Sequence, residues 1–356
     1  MKGTTGSEAS STSTESKSPG MDNPADDFWG NIPSEAVTEI LRVVSLNING
    51  LPLRPDSDKY SSVYDYMHDY DIDVLALQET NVQWHLVPPE QRLNERTRGW
   101  FQRQYVKAAW FSKYESEATH VYGGTAIIVR GNAAGRVIRS GHDRSGLGRW
   151  SWLELRGYDG KSVIVVSAYR PVYNPFRTGS VWSQHKTYFD SQRPPILGDP
   201  RDLFLQDLVA ELQPLHDAGS QIIICMDSNE TSLKQENNII EAKLKVLGLV
   251  DVVLSNHRQA QAPPTTNGFT DLTQAGPVDT IMAPSAICSE CECGYLPFQA
   301  LSNHRGVYSD FNEIQLFGLP ARQSFVAPSG RRLQCKDPCT VRRYNKVMKA
   351  ELFVKR

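Results

Sequence analysis

The stretch Gln221-Ile-Ile-Ile-Cys-Met-Asp-Ser-Asn-Glu230 most limits what this chain can fold into. Its apolar run, residues 222–225, reads as a short buried strand that leads straight into Asp227 and Asn229. Strand side chains alternate faces, so Asp227 and Asn229 leave the sheet on the same side. A carboxylate and an amide at the end of a core strand are costly to bury unless something uses them. The fold must supply a partner there.

The same design recurs along the chain. Strand-like runs at 42–46, 72–78, 124–130, 150–156, 162–169, 249–253, 278–283 and 306–311 alternate with helical patterns at 60–70, 201–216 and 237–247. This predicts an α+β domain, a layered sandwich of sheets with helices outside. The connection 171–200 is long enough to read as a functional surface loop. Five apolar runs stop at Asn47/Asn49, Glu79, Tyr169, Asp227/Asn229 and Asp279, and a loop adds Asn303-His304. Any one of these alone reads as a turn residue or a solvated side chain. Six in order read as a site.

The chemistry they suggest is metal-assisted phosphodiester cleavage. Mg²⁺, or Mn²⁺ in its place, takes oxygen ligands, which Glu79 and the neighbouring Asn47, Asn49 and Asn303 offer. Asp227 and Asn229 are placed to hold and deprotonate a water, and Asp279 to orient His304 against a phosphate. Arg144, Arg149 and Arg170 are the expected substrate contacts.

Charge divides the chain. Residues 1–40 carry seven acids and two bases and few apolar groups, which predicts a disordered acidic leader. Residues 320–356 carry ten bases and two acids, and 338–352 have helical spacing. The expected domains are thus 1–40, 41–318 and a basic C-terminal arm, 319–356, suited to a polyanion. The aromatic stretch 92–113, with six bases and one acid, reads equally as a nucleic-acid contact or an amphipathic helix. No run has a bilayer-spanning or signal-core composition, so the expectation is an intracellular protein, nuclear in a eukaryote, with no membrane partner. Cys288, Cys291 and Cys293 read as reduced thiols in a surface turn rather than a zinc site. His142, His185 and His257 read as solvated.

The motifs LNINGL (46–51), LALQET (75–80), SAYRP (167–171), MDSNE (226–230), PVDTIM (277–282) and LSNHR (301–305) together resemble those of the endonuclease/exonuclease/phosphatase, or DNase-I-like, superfamily. Within it, the first motif is most similar to apurinic-type endonuclease domains of non-LTR retrotransposons. The resemblance implies a four-layered sandwich over residues 41–318 and a monomeric Mg²⁺-dependent endonuclease that nicks DNA. A phosphatase, a phospholipase or a silent nucleic-acid-binding relative are the alternatives. By resemblance, Glu79 is the principal metal ligand, assisted by Asn47 and Asn49. Tyr169 contacts the scissile phosphate, Asp227 activates the water, Asn229 orients it, and Asp279 with His304 forms the carboxylate–imidazole pair. The chain departs from the family pattern in three places. Asn303 stands where the family usually has Asp, Met226 where it has Gly, and Val172 where it has Asn, with Asn174 close by.

Overall fold

Two mixed β-sheets packed face to face carry the fold. The computed structural model describes residues 28–35, 39–54, 57–113, 118–231, 239–257, 262–268, 275–319 and 338–354. They belong to two compact units, Met1–Gly318 and Leu319–Arg356.

The first half of the larger unit contains β1 (Trp29–Gly30), β2 (Ile40–Asn47), α1 (Lys59–Asp69), β3 (Val74–Gln78), α2 (Leu93–Arg96), β4 (Gln104–Ala109), β5 (Thr125–Arg130) and α3 (Gly131–Arg136). Next come β6 (Val137–His142), β7 (Trp150–Arg156), β8 (Ser162–Tyr169), α4 (Val181–Ser191), α5 (Pro200–Asp217) and β9 (Gln221–Asp227). The last part holds α6 (Ile239–Leu244), β10 (Leu249–Asp251), α7 (Val252–Asn256), β11 (Asp279–Pro284), α8 (Ser285–Cys288), β12 (Glu292–Tyr295), β13 (Val307–Asn312) and α9 (Glu313–Phe317). One sheet has the order β1-β12-β13-β2-β3-β5-β4, the other β10-β11-β9-β8-β7-β6.

Period-two patterning builds the layers. Leu41 and Val43 of β2, Val163 and Val165 of β8, and Ile223 and Cys225 of β9 face one another between the sheets. Their chain neighbours turn outward. Val44 and Leu46 pack with Val63 and Met67 of α1, while Ile164 and Ile222 pack with Phe204 and Leu208 of α5. The result is the α/β/β/α sandwich. Helix α5 begins where Asp199 accepts the Arg201 N–H and Pro200 fills the first turn.

Toward one end the inter-sheet rows turn polar. Gln78 Nε2 donates to Ser45 Oγ at 3.3 Å and to Ser167 Oγ at 3.2 Å, and Ser167 Oγ donates to the Leu77 carbonyl at 2.7 Å. The parallel pairs β2/β3 and β8/β9 deliver their C-termini to this end, and antiparallel β11 delivers its N-terminus.

Several expectations need correction. The leader is shorter than 1–40, because β1 pairs with β12 and Trp29 stacks on Tyr295 with ring centroids 4.9 Å apart. Residues 1–27 lie outside the described part. The stretch 92–113 is not one amphipathic helix. It forms α2 and then β4, whose Lys107 sits at the outer edge of its sheet. The connection 171–200 contains α4. The three cysteines are buried, each Sγ donating to a backbone carbonyl, and burial pushes their thiols up to about 12, 11 and 12. In the smaller unit the basic helix is present as α10 (Pro338–Val354), with Tyr344, Val347 and Met348 exposed. Among the described residues no helix is long and apolar enough to cross a membrane.

At the end of the sandwich where β2 begins, Arg42 grips Asp310 of β13 through two 2.7 Å hydrogen bonds, both groups buried. Its other donors reach the carbonyls of Tyr70 and Ser34. Removing one partner of a buried pair strands the other's charge. Arg42→Ala is expected to lower the urea-unfolding free energy by about 3–5 kcal/mol. A loss below 1 kcal/mol would show the pair to be dispensable.

Candidate active site

Three turns at the polar end, at the ends of β2 and β9 and in the loop before β13, close with the same local device. Asn47 Oδ1 accepts the Asn49 N–H at 2.9 Å, Asp227 Oδ1 accepts the Asn229 N–H at 3.0 Å, and Ser302 Oγ accepts the His304 N–H at 3.1 Å. These side-chain turns bend the chain sharply just past the sheet. Asn49, Glu79 and Asn229 all adopt left-handed backbone there, with φ of 49°, 51° and 49°. Asn tolerates that region, whereas Glu79 is strained in it, and such strain gathers at functional sites.

Register then brings the groups together. Asp279 lies directly opposite Asp227 across β11 and β9, and Tyr169 lies beside Asp227 across β8 and β9. Asn47 Nδ2 reaches from the other sheet to Asp227 Oδ2 at 2.8 Å. His304 Nδ1 and Asp279 Oδ2 are 2.7 Å apart, both groups buried. The Tyr169 hydroxyl is hydrogen-bonded to Glu79 and to Asn229, and Asn229 Nδ2 also donates to the Arg170 carbonyl at 2.8 Å. Asp227, Asp279 and His304 present ligand atoms within 4.8 Å of one another.

The electrostatics follow from burial and from the like charges. Burial, and then the facing Asp279 charge, push the Asp227 carboxyl well above its ordinary range. Burial disfavours the His304 cation, but the charge and hydrogen bond of Asp279 outweigh it and raise the imidazole to about 9. Burial first, then the Glu79 and Asp227 charges, hold the Tyr169 phenol well above its usual value.

A hard divalent cation fits this donor set. Asp279 Oδ1 and Asn303 Oδ1 are buried without a hydrogen-bond partner, and the Asp227 and Asp279 carboxylates lie together within reach of the Glu79 charge, oxygen chemistry that suits Mg²⁺ or Mn²⁺. Such a cation would offset the negative charge crowded there.

Of the twelve residues singled out in the sequence, Asn47, Glu79, Tyr169, Asp227, Asn229, Asp279 and His304 are linked by hydrogen bonds or by mutual charge. Asn49 follows Asn47 in its turn, and Asn303 precedes His304. The arginines require correction. Arg149 is buried, bound through Nε to Asp143 at 2.7 Å and through Nη1 to Asp207 at 2.8 Å, so it pins the β6–β7 turn to α5. Arg170 is buried and spends its guanidinium on Glu230 and the Ser228 and Arg201 carbonyls. Arg144 is exposed and pairs with Glu211 of α5 at 3.2 Å. Two histidine expectations also change. His185 is buried, its imidazole lowered to about 3 by burial, and His257 Nε2 lies 2.9 Å from the Cys293 carbonyl. Met226 points into the outer layer with α5, where a side chain has room.

Two supporting groups carry no signal in the sequence. Thr265 Oγ1 accepts the Val278 and Asp279 N–H groups at 3.0 and 3.1 Å, and Thr266 bridges to His304. The loop thus holds both members of the Asp279–His304 pair. Lys59 Nζ donates to the Ile48 carbonyl at 2.6 Å and steadies the first turn.

The fold and the site define the class. The sequence profile described as the endonuclease/exonuclease/phosphatase family matches residues 44–304, and the chain belongs to that family. Its members are phosphodiester hydrolases that typically use a divalent metal. No curated protein sequence matches the chain. Among solved structures, the AP endonuclease LMAP from Leishmania major is similar at 13% identity and TM-score 0.55, over 81% of this chain and 94% of that one. The Xenopus laevis APE2 catalytic domain is similar at 15% identity and TM-score 0.53, over 76% and 92%. The Neisseria 3′ phosphatase NExo, bound to a product DNA hairpin, is similar at 14% identity and TM-score 0.50, over 76% and 99%. At these identities the likeness establishes the DNase-I-like fold.

Asn303→Asp adds a carboxylate where an amide oxygen now lacks a partner. Mn²⁺ affinity measured by calorimetry is expected to rise about tenfold, ~1.4 kcal/mol. An unchanged Kd would show that the amide oxygen already serves.

Proposed function

We propose that this protein is a Mg²⁺- or Mn²⁺-dependent DNA endonuclease that nicks a strand by direct attack of water on the phosphodiester. The observation that carries the reading is the buried Asp227–Asp279 pair, facing across two strands and joined by His304 and Asn47.

The roles follow from what each group can do where it sits. Asp227, raised toward neutral pH by burial, takes a proton from the attacking water. Asn229, held by the Arg170 carbonyl and Tyr169, orients that water. Asp279 keeps His304 cationic, so the imidazolium binds a non-bridging phosphate oxygen as negative charge grows. The Tyr169 hydroxyl donates to the phosphate. As the new P–O bond forms, one ester P–O bond breaks and the leaving oxygen takes a proton from solvent, to which Asp227 returns the one it accepted. Glu79, Asn47, Asn49 and Asn303 are the residues that would hold the metal with Asp227 or Asp279, and its chemistry there is to stabilise phosphorane charge.

DNA as substrate is supported by family membership and by the excess of bases over acids in residues 320–356, ten to two. The LNINGL first motif supports the retrotransposon-type branch.

Nicking of supercoiled plasmid by the full chain tests the reading. Activity should appear with Mg²⁺ or Mn²⁺, vanish with EDTA, and decline steeply with added salt through counterion release. Asp227→Ala and His304→Ala should each cost roughly 10²–10⁴-fold in rate, while thermal unfolding midpoints stay close to wild type. Pure wild-type protein that fails to nick with either metal would remove the endonuclease assignment.

A further inference from the structure

An open cleft of ≈ 320 Å³ adjoins the site, and Glu79 and Tyr169 form one of its walls. Tyr122, Asn174, Arg177 and the start of α4 at Ser180 and Val181 also line it. Tyr122 is 43% exposed, and the Arg177 guanidinium lies over its ring, 5.5 Å from the centroid. An Arg177 nitrogen also donates to the Tyr122 hydroxyl at 3.4 Å. His120 supports the same ring from its edge, with centroids 5.0 Å apart and planes at 89°. Beyond Arg177, on the same loop, Phe176 is 95% exposed and Tyr173 is 56% exposed.

The platform is fixed to the catalytic turn by backbone. Asn81, two residues after Glu79, accepts the Gly123 N–H on its side chain at 2.8 Å and donates its own N–H to the Gly123 carbonyl at 2.8 Å. Its carbonyl accepts the Val121 N–H at 3.2 Å, so both neighbours of Tyr122 are tied to the Glu79 turn. Gly123, at φ +95°, has Val181 3.4 Å from where a Cβ would stand, which keeps this wall close to α4.

We infer that this cleft is the subsite for one unpaired nucleotide next to the scissile phosphate, whose base stacks on the Arg177–Tyr122 platform. The inference rests on the phosphodiesterase reading and adds the substrate's form. A guanidinium plane backed by a tyrosine ring stacks on any nucleobase, whatever its sequence. The cleft is near the small end of ligand sites, the size of a single nucleoside unit. A base inside a duplex has both faces covered, so it reaches the platform only from a single-stranded, frayed or extruded position. The subsite therefore selects strands with an unpaired nucleotide over uninterrupted duplex.

Fluorescence anisotropy with EDTA, which reads binding without cleavage, tests this on the full chain. The probes are an oligo-dT nonamer, the same nonamer with every base replaced by an abasic residue, and a fully paired duplex of that length. Wild type should prefer the dT strand. Tyr122→Ala and Arg177→Ala should weaken it roughly 5- to 150-fold, the range of one lost base stack. Arg177→Lys keeps the charge without the plane and should not restore binding. The abasic nonamer should show a much smaller loss in the same variants. Equal losses on both nonamers, full rescue by Arg177→Lys, or preference for the duplex would each overturn the platform. Binding of the wild type to phosphatidylserine vesicles but not to the dT nonamer would overturn it in favour of a lipid surface. Cleavage of the dT nonamer and of plasmid in Mg²⁺ or Mn²⁺ separates the two levels. Cleavage of either without any platform effect removes the subsite alone, and platform-dependent binding with neither substrate cleaved removes the hydrolase reading while the subsite stands.

Discussion

Two carboxylates, Asp227 and Asp279, face each other across adjacent buried strands, and the polar end of the sandwich is arranged around that repulsion. Left bare, the pair would be among the least favourable arrangements in the interior. Here one carboxylate is bonded by Asn47 from the opposite sheet and the other by His304. The rows behind them step from apolar to small polar side chains before the charges begin. Leu41 and Val43 lead to Ser45 and Asn47, and Val163 and Val165 lead to Ser167 and Tyr169. The same positions that bury the core at one end thereby carry the chemistry at the other.

That continuity explains which parts of the structure were legible in the sequence. The strand runs at 150–156 and 162–169 coincide with β7 and β8, because these strands are buried along nearly their whole length and are rich in aromatic and β-branched residues. Strands β4 and β6 lie at the sheet edges with mostly half-exposed residues, and their mixed composition hides the period. Strand β12 was obscured by the cysteine cluster that runs into it, of which Cys293 lies in the strand and Cys288 and Cys291 just before it, all buried in the core rather than displayed in a turn. Most catalytic candidates were legible because they follow an apolar run, where a polar group has few structural uses, although Asp279 begins β11 and Asn303 and His304 lie in a loop.

The arginines mark the limit of that reasoning. Arg170 lies within a site motif and Arg149 in a glycine-rich turn, yet both are buried against carboxylates that the sequence places 58 residues away for Arg149 and 60 for Arg170. Composition records a cation but not its direction. Thr265 was equally hidden, since a lone threonine in a polar loop carries no pattern. What decided these cases was long-range pairing, which becomes visible only once the strands have found their register.

The three side-chain turns at Asn47, Asp227 and Ser302 give the site a modular construction. Each is closed within three residues, two of them on a strand end and the third in the loop before β13. The chain between one turn and the next is consequently free to lengthen or shorten without disturbing the reacting groups. The thirty-residue passage from β8 to α5, with its own helix and its exposed aromatic residues, is such an interval. In a molecule built this way, the catalytic apparatus and the surface that chooses the substrate are inherited separately.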